Sequence, residues 1–106
     1  MQLTTTLLLL LSSLASSGEH FVDLHRTALI NRVSDTAAIL DELKDRGFIS
    51  DENYDSVRAL RTTREQMRDI LTFVRSAGTS GKDAFYEILI GKPYLRILVN
   101  ELEESL

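Results

Sequence analysis

His20-Phe-Val-Asp-Leu-His-Arg-Thr-Ala-Leu-Ile-Asn-Arg-Val33 is the stretch on which the reading of the whole chain turns. Phe21, Leu24, Ala28, Leu29 and Val33 recur near one face at helical spacing, so an amphipathic helix is expected, with arginines at 26 and 32. The two helices that follow are crowded with carboxylates: Asp41, Glu42, Asp45, Asp51, Glu52 and Asp55. A basic element beside acidic ones in one small domain suits it to binding copies of itself or a relative. Complementary charge of this kind sets partner choice and encounter rate more than raw affinity. Arg26 and Arg32 lie six residues apart, about 120° on a helix, and so flank a broad surface. Asp41 and Asp45 lie four apart and share one helix face.

Outward from that stretch the helical pattern continues. Ser34 or Asp35 can cap a second helix through Ile39, Leu40 and Leu43, which stops at Gly47. Ser50-Asp51-Glu52 starts a third, its acids near the positive end of the dipole, with Tyr54, Val57 and Ala59 or Leu60 expected on its buried side. Thr63-Arg-Glu-Gln66 matches a capping box, and Met67, Ile70, Leu71 and Val74 follow at i, i+3, i+4 and i+7. Gly78-Thr-Ser-Gly81 breaks the chain, and Ser80 can cap a fifth helix through Phe85, Ile88 and Leu89. Pro93, the one proline, suits the first turn of a sixth helix through Leu95, Leu98, Val99 and Leu102. The expectation is an all-α, six-helix antiparallel bundle with helices of about 10–14 residues.

Composition bounds the function. The 106 residues suffice for one domain, and 43% hydrophobic with 26% charged residues is globular rather than disordered. A net charge of −4 gives no general attraction to nucleic acid or acidic membranes, so neither is expected as a partner. With no cysteine there is no disulfide, thiolate metal site or cysteine nucleophile, which suits a reducing compartment such as the cytoplasm. Residues 1–18 carry no charged side chain and include five leucines, Leu7 to Leu11. They read as an apolar leader or linker outside a folded unit at 19–106. A secretory signal normally has a basic start, which this one lacks, and the leucine run is far shorter than the roughly 20 residues of a membrane span.

Catalytic and cofactor signatures are missing. His20 and His25 are five apart, poor spacing for one helix face, and no third metal ligand presents itself. There is no Gly-x-Ser-x-Gly elbow and no Gly-x-x-x-x-Gly-Lys-Ser/Thr phosphate loop around Gly78 and Gly81. No enzyme activity, cofactor or metal is expected.

The run from His20 to Val33 resembles the first helix of a caspase recruitment domain, CARD, of the death-fold superfamily. It is most like the domain of inflammasome adaptors and related fish inflammasome proteins. The resemblance continues through Ile39-Leu-Asp41, Asp51-Glu-Asn-Tyr-Asp-Ser-Val-Arg58, Gln66-Met-Arg68, Gly81-Lys-Asp83, Pro93-Tyr-Leu95 and Glu101-Leu-Glu103. It implies a six-helix death fold without enzyme activity. It also implies homotypic association with a caspase, adaptor or receptor CARD, and self-association. By the same resemblance a basic surface on helices one and four pairs with an acidic surface on helices two and three. At matching positions the basic residues are Arg26, Arg32 and Arg68. The acidic ones are Asp41 and Asp51, with Glu42, Asp45 and Asp55 as neighbours. The chain departs from that pattern at Ala37-Ala38, at one extra residue near Gly47, and at Ile97 in a face otherwise charged. Two other readings stay open: a stand-alone monomeric decoy or regulator of such assemblies, and a secreted helical protein that shares only the bundle shape.

Overall fold

The computed structural model describes residues 20–104, which hold seven helical segments and no strand. They are α1 (Phe21–Leu24), α2 (Arg26–Arg32), α3 (Thr36–Asp45), α4 (Asp51–Arg58), α5 (Thr63–Ser76), α6 (Gly78–Ile90) and α7 (Pro93–Glu104). The sequence reading of residues 1–18 lies outside the described residues.

The count exceeds six because the first expected helix is broken at His25, whose backbone (φ −108°, ψ 22°) leaves the helical range. Hydrogen bonds bridge the break: the His25 N–H donates to the Phe21 carbonyl at 3.0 Å and the Leu29 N–H to that of His25 at 2.9 Å. The buried face also differs from the expected one. Val22, His25, Leu29, Ile30 and Val33 are buried, Phe21 and Ala28 are half-buried, and Leu24 is exposed. The true stripe, at spacings of three, four and four from Val22 to Val33, passes through a histidine that hydropathy does not recognise as core. The His25 ring lies 4.8 Å from that of Phe21, and its Nε2 is buried without a hydrogen-bond partner.

Four helix ends follow from local chemistry. His20 caps α1, its Nδ1 accepting from the Val22 N–H at 3.2 Å. After α3, Gly47 adopts φ 85°, which only glycine reaches without strain. There the Phe48 N–H reaches the Leu43 carbonyl and the Gly47 N–H that of Lys44, each at 2.9 Å, closing a Schellman motif. Ser50 caps α4 by accepting from the Asn53 N–H. The capping box of α5 is Thr62 with Glu65, one residue earlier than the sequence pattern placed it. Gln66, freed from that role, binds the Leu60 carbonyl and the buried hydroxyl of Thr36, tying α3 to α5. Ser80 caps nothing, because α6 already begins at Gly78 directly after Ala77.

Helices α5 and α6 form the centre. α5 packs against α2, α3, α4 and α6; α6 packs against α1, α3, α5 and α7. Their expected apolar positions (Met67, Ile70, Leu71, Val74, Phe85, Ile88, Leu89) are all buried, with Ile39, Leu40 and Leu43 of α3 and Leu95, Leu98, Val99 and Leu102 of α7. On α4 only Val57 is buried; Tyr54 and Leu60 are half-buried and Ala59 is exposed. The turn from α5 to α6 is close-packed: a Cβ added at Gly81 would stand 2.5 Å from the Ala77 Cβ and 2.8 Å from the Val74 carbonyl oxygen. No described helix is long and apolar enough to cross a membrane.

Candidate functional site: two charged helix pairs

The expected basic residues fall on one packed helix pair, α2 and α5. Arg26 opens α2 and is half-buried, Arg32 closes it, and Arg68 is exposed in the middle of α5. Arg26 and Arg68 make no side-chain hydrogen bond or ion pair among the described residues. Arg32 differs from them: its Nη2 donates to Glu101 of α7 at 2.6 Å, so one basic group already has an in-chain acid.

The expected acidic residues fall on a second packed pair. Asp41, Glu42 and Asp45 stand on α3, and Asp51 and Asp55 on α4. Asp45 and Asp55 are exposed, and neither carboxylate has a hydrogen bond or ion pair among the described residues. Glu42 accepts from Lys92 Nζ at 3.0 Å, and Asp51, 88% exposed, pairs with Lys44 at 3.2 Å. Asp41 accepts the Tyr54 hydroxyl at 2.6 Å and keeps its charge, since a phenol neutralises nothing.

Tyr54 was expected only as a buried side chain, and its role at this surface was missed. Its hydroxyl joins α4 to α3 through Asp41 and accepts from Arg58 Nη1 at 3.3 Å, while Lys44 Nζ sits 4.5 Å from its ring centroid. The i, i+4 spacing of Tyr54 and Arg58 was the available signal. The hydrogen bond to Asp41 raises the Tyr54 hydroxyl above its ordinary pKa, with burial a lesser cause. The hydrogen bond and charge of Asp51 raise Lys44.

Among the described residues no ion pair joins Arg26, Arg32 or Arg68 to any of these five acids. Such a surface can hold an oppositely charged partner. The histidines are otherwise engaged: His20 bonds Asp83 through Nε2 at 2.7 Å while capping α1, and His25 is buried. Among the described residues no cluster of three or more histidine, cysteine or carboxylate side chains could hold a metal.

The family follows from the chain itself. The model of the caspase recruitment domain matches residues 19–100, and the chain belongs to that family. It is similar to apoptosis-associated speck-like protein containing a CARD from Bos taurus. That match is 38% identical over 96 residues, which are 90% of this chain and 47% of the relative. The protein of the same name from Danio rerio is 34% identical over 95 residues, 89% of this chain and 46% of the relative. NACHT, LRR and PYD domains-containing protein 1b allele 3 from Mus musculus is 34% identical over 91 residues, 86% of this chain and 8% of the relative. The chain therefore spans about half the length of its speck-like relatives and 8% of the NACHT, LRR and PYD domains-containing one.

Proposed function

We propose that this domain is a homotypic CARD–CARD interaction module. It recruits or clusters a CARD-bearing caspase, adaptor or receptor in cytoplasmic inflammasome and apoptotic signalling, and it is not an enzyme. The observation that carries this reading is the separation of charge. Among the described residues Arg26 and Arg68 on α2 and α5 pair with no acid, and the acids of α3 and α4 make no ion pair with them. A second copy supplies what each face lacks. Because the two faces differ, the contact is heterologous, and repeating it without closure gives an open filament. Family membership and the speck-like and NACHT-type relatives support the signalling context.

Negative-stain electron microscopy of the chain, released from a solubilising fusion at moderate salt, tests the proposal. Filaments are expected, and Arg26→Glu or Asp41→Lys abolishes them with helical content unchanged. Filaments from both variants would sink the charge-paired model. A second reading has its own support, since the Arg32–Glu101 and Lys92–Glu42 pairs already occupy part of each face. In that reading the domain stays monomeric and lowers the polymerisation rate of a partner's CARD.

A further inference from the structure

The two central helices are joined by one residue. α5 ends at Ser76, α6 begins at Gly78, and Ala77 between them keeps a right-handed helical backbone (φ −79°, ψ −2°). The reversal of the chain therefore rests on Gly78, at φ 74°. A residue with a side chain is strained there and glycine is not. No side-chain hydrogen bond caps α6, so its first-turn N–H groups have no acceptor within the helix.

Gly81 guards the same reversal by a different route. A Cβ there would stand 2.5 Å from the Ala77 Cβ and 2.8 Å from the Val74 carbonyl oxygen, because the chain folds back on itself. In an unbroken helix positions 77 and 81 are four apart, and their Cβ atoms lie about 5–6 Å from each other. The bent corner demands both glycines; a straight one demands neither.

Straightened at Gly78, residues 63–90 make a single helix of 28 residues, about 42 Å long. α6 and α7 then leave the bundle they complete. Their ties to it are specific: Lys82 to Asp23, Glu87 to Arg46, Lys92 to Glu42, Glu101 to Arg32, and Tyr86 against Phe21. A second copy offers the same groups in the same places, so each tie can be remade between chains, while the first N–H groups of α6 gain carbonyl acceptors from α5. Exchange of an identical element is a low-cost route to a dimer, and a very short hinge favours it.

We infer that the partner of this corner is a second copy of the chain, which exchanges α6 and α7 through a hinge straightened at Gly78. Arg26, Arg68, Asp41 and Asp55 all precede the hinge, so each lobe of the exchanged dimer keeps its basic and acidic helix pairs whole. Exchange goes beyond the charge-paired association proposed above and does not depend on it, since it remakes the core and not the surface. Where that association holds, the dimer presents each face twice and starts two rows where a monomer starts one.

The test measures the mass of the full chain by light scattering, with R26E present to keep surface association out of the reading. Refolded at high concentration, the chain forms a dimer of undiminished helical content. G78A with G81A lowers the dissociation constant of that dimer about a hundredfold, roughly tenfold for each of its two hinges. T79P added to the same chain removes the dimer, because proline suits the first turn of α6 but breaks a helix running through it; T79P alone stays a helical monomer. Hybrids with a longer, tagged copy form only after unfolding. Monomeric G78A–G81A chains overturn the inference, as does a dimer that survives T79P or forms hybrids without unfolding. If R26E still makes filaments, the charge-paired function fails, while the hybrids and T79P decide exchange on their own.

Discussion

The first helix and α5 carry similar apolar patterns and end differently. α5 runs unbroken for 14 residues between a two-sided capping box and Ala77, with Met67, Ile70, Leu71 and Val74 all buried. The first helix is split into segments of four and seven residues, and its buried stripe passes through His25. The difference is one polar side chain at a core position. An imidazole there stacks on Phe21 but leaves Nε2 without a partner, and the backbone departs from the helix at that residue. Periodicity places a helix; what fills each position of its stripe decides whether it stays whole.

That contrast can be broken most forcefully at α5. Leu71→Ala is expected to cost ~2–5 kcal/mol by chemical denaturation, because the site is fully enclosed. Leu24→Ala, at a 40% exposed position of α1, should change stability by no more than about 0.5 kcal/mol. Equal losses at both would show that the two helices are not differently packed after all.

A smaller effect of opposite sign is expected from His25→Leu. Replacing a buried ring whose nitrogen has no partner by an apolar side chain removes a desolvation penalty of about 1–3 kcal/mol, less whatever the new shape loses in packing. Urea denaturation should show a net gain; a loss would mean that the imidazole makes a favourable contact its orphaned nitrogen conceals. Next comes Thr62→Ala, which dismantles the capping box of α5 and should cost about 1 kcal/mol. Asp35→Ala at the start of α3 should cost much less, since Asp35 makes no capping hydrogen bond.

The finest distinction lies where α1 meets α6. Phe21 packs edge-to-face on Tyr86 at 5.1 Å between centroids, and burial, followed by the charge of Glu103, raises the Tyr86 hydroxyl above its ordinary pKa of 10.0. A group raised on folding contributes stability that is whole below its unfolded pKa and is lost as pH rises through the folded one. The decline therefore begins above about pH 10, and Tyr86→Phe should make it shallower in melts taken across that range. A decline of the same slope in both proteins would remove Tyr86 as a cause.

Most of the fold was legible in the sequence because most helices state their case locally. Gly47, Ser50 and Pro93 mark ends where small-scale chemistry permits few alternatives, and the stripes of α3, α5, α6 and α7 hold a single phase. The misreadings arose where another element overrides local preference. Gln66 fits a capping box on paper, yet Thr36 and the Leu60 carbonyl claim it, and the box shifts to Thr62 and Glu65. At the candidate site the residue types and their helices were legible, whereas their pairings were not. That Glu101 would reach Arg32, 69 residues away in the chain, or Lys92 reach Glu42, depends on how α7 and the turn before it lie against the rest. Tyr54 was overlooked because an aromatic on a short helix looks like core, whereas its hydroxyl serves the surface.

The close approach at Gly81 reaches further than its own turn. Any side chain at that position would have to push Ala77 and the Val74 backbone aside, so a single interior substitution there would shift the two central helices relative to each other. Surfaces that draw residues from both helices would be altered without one of their own side chains being changed.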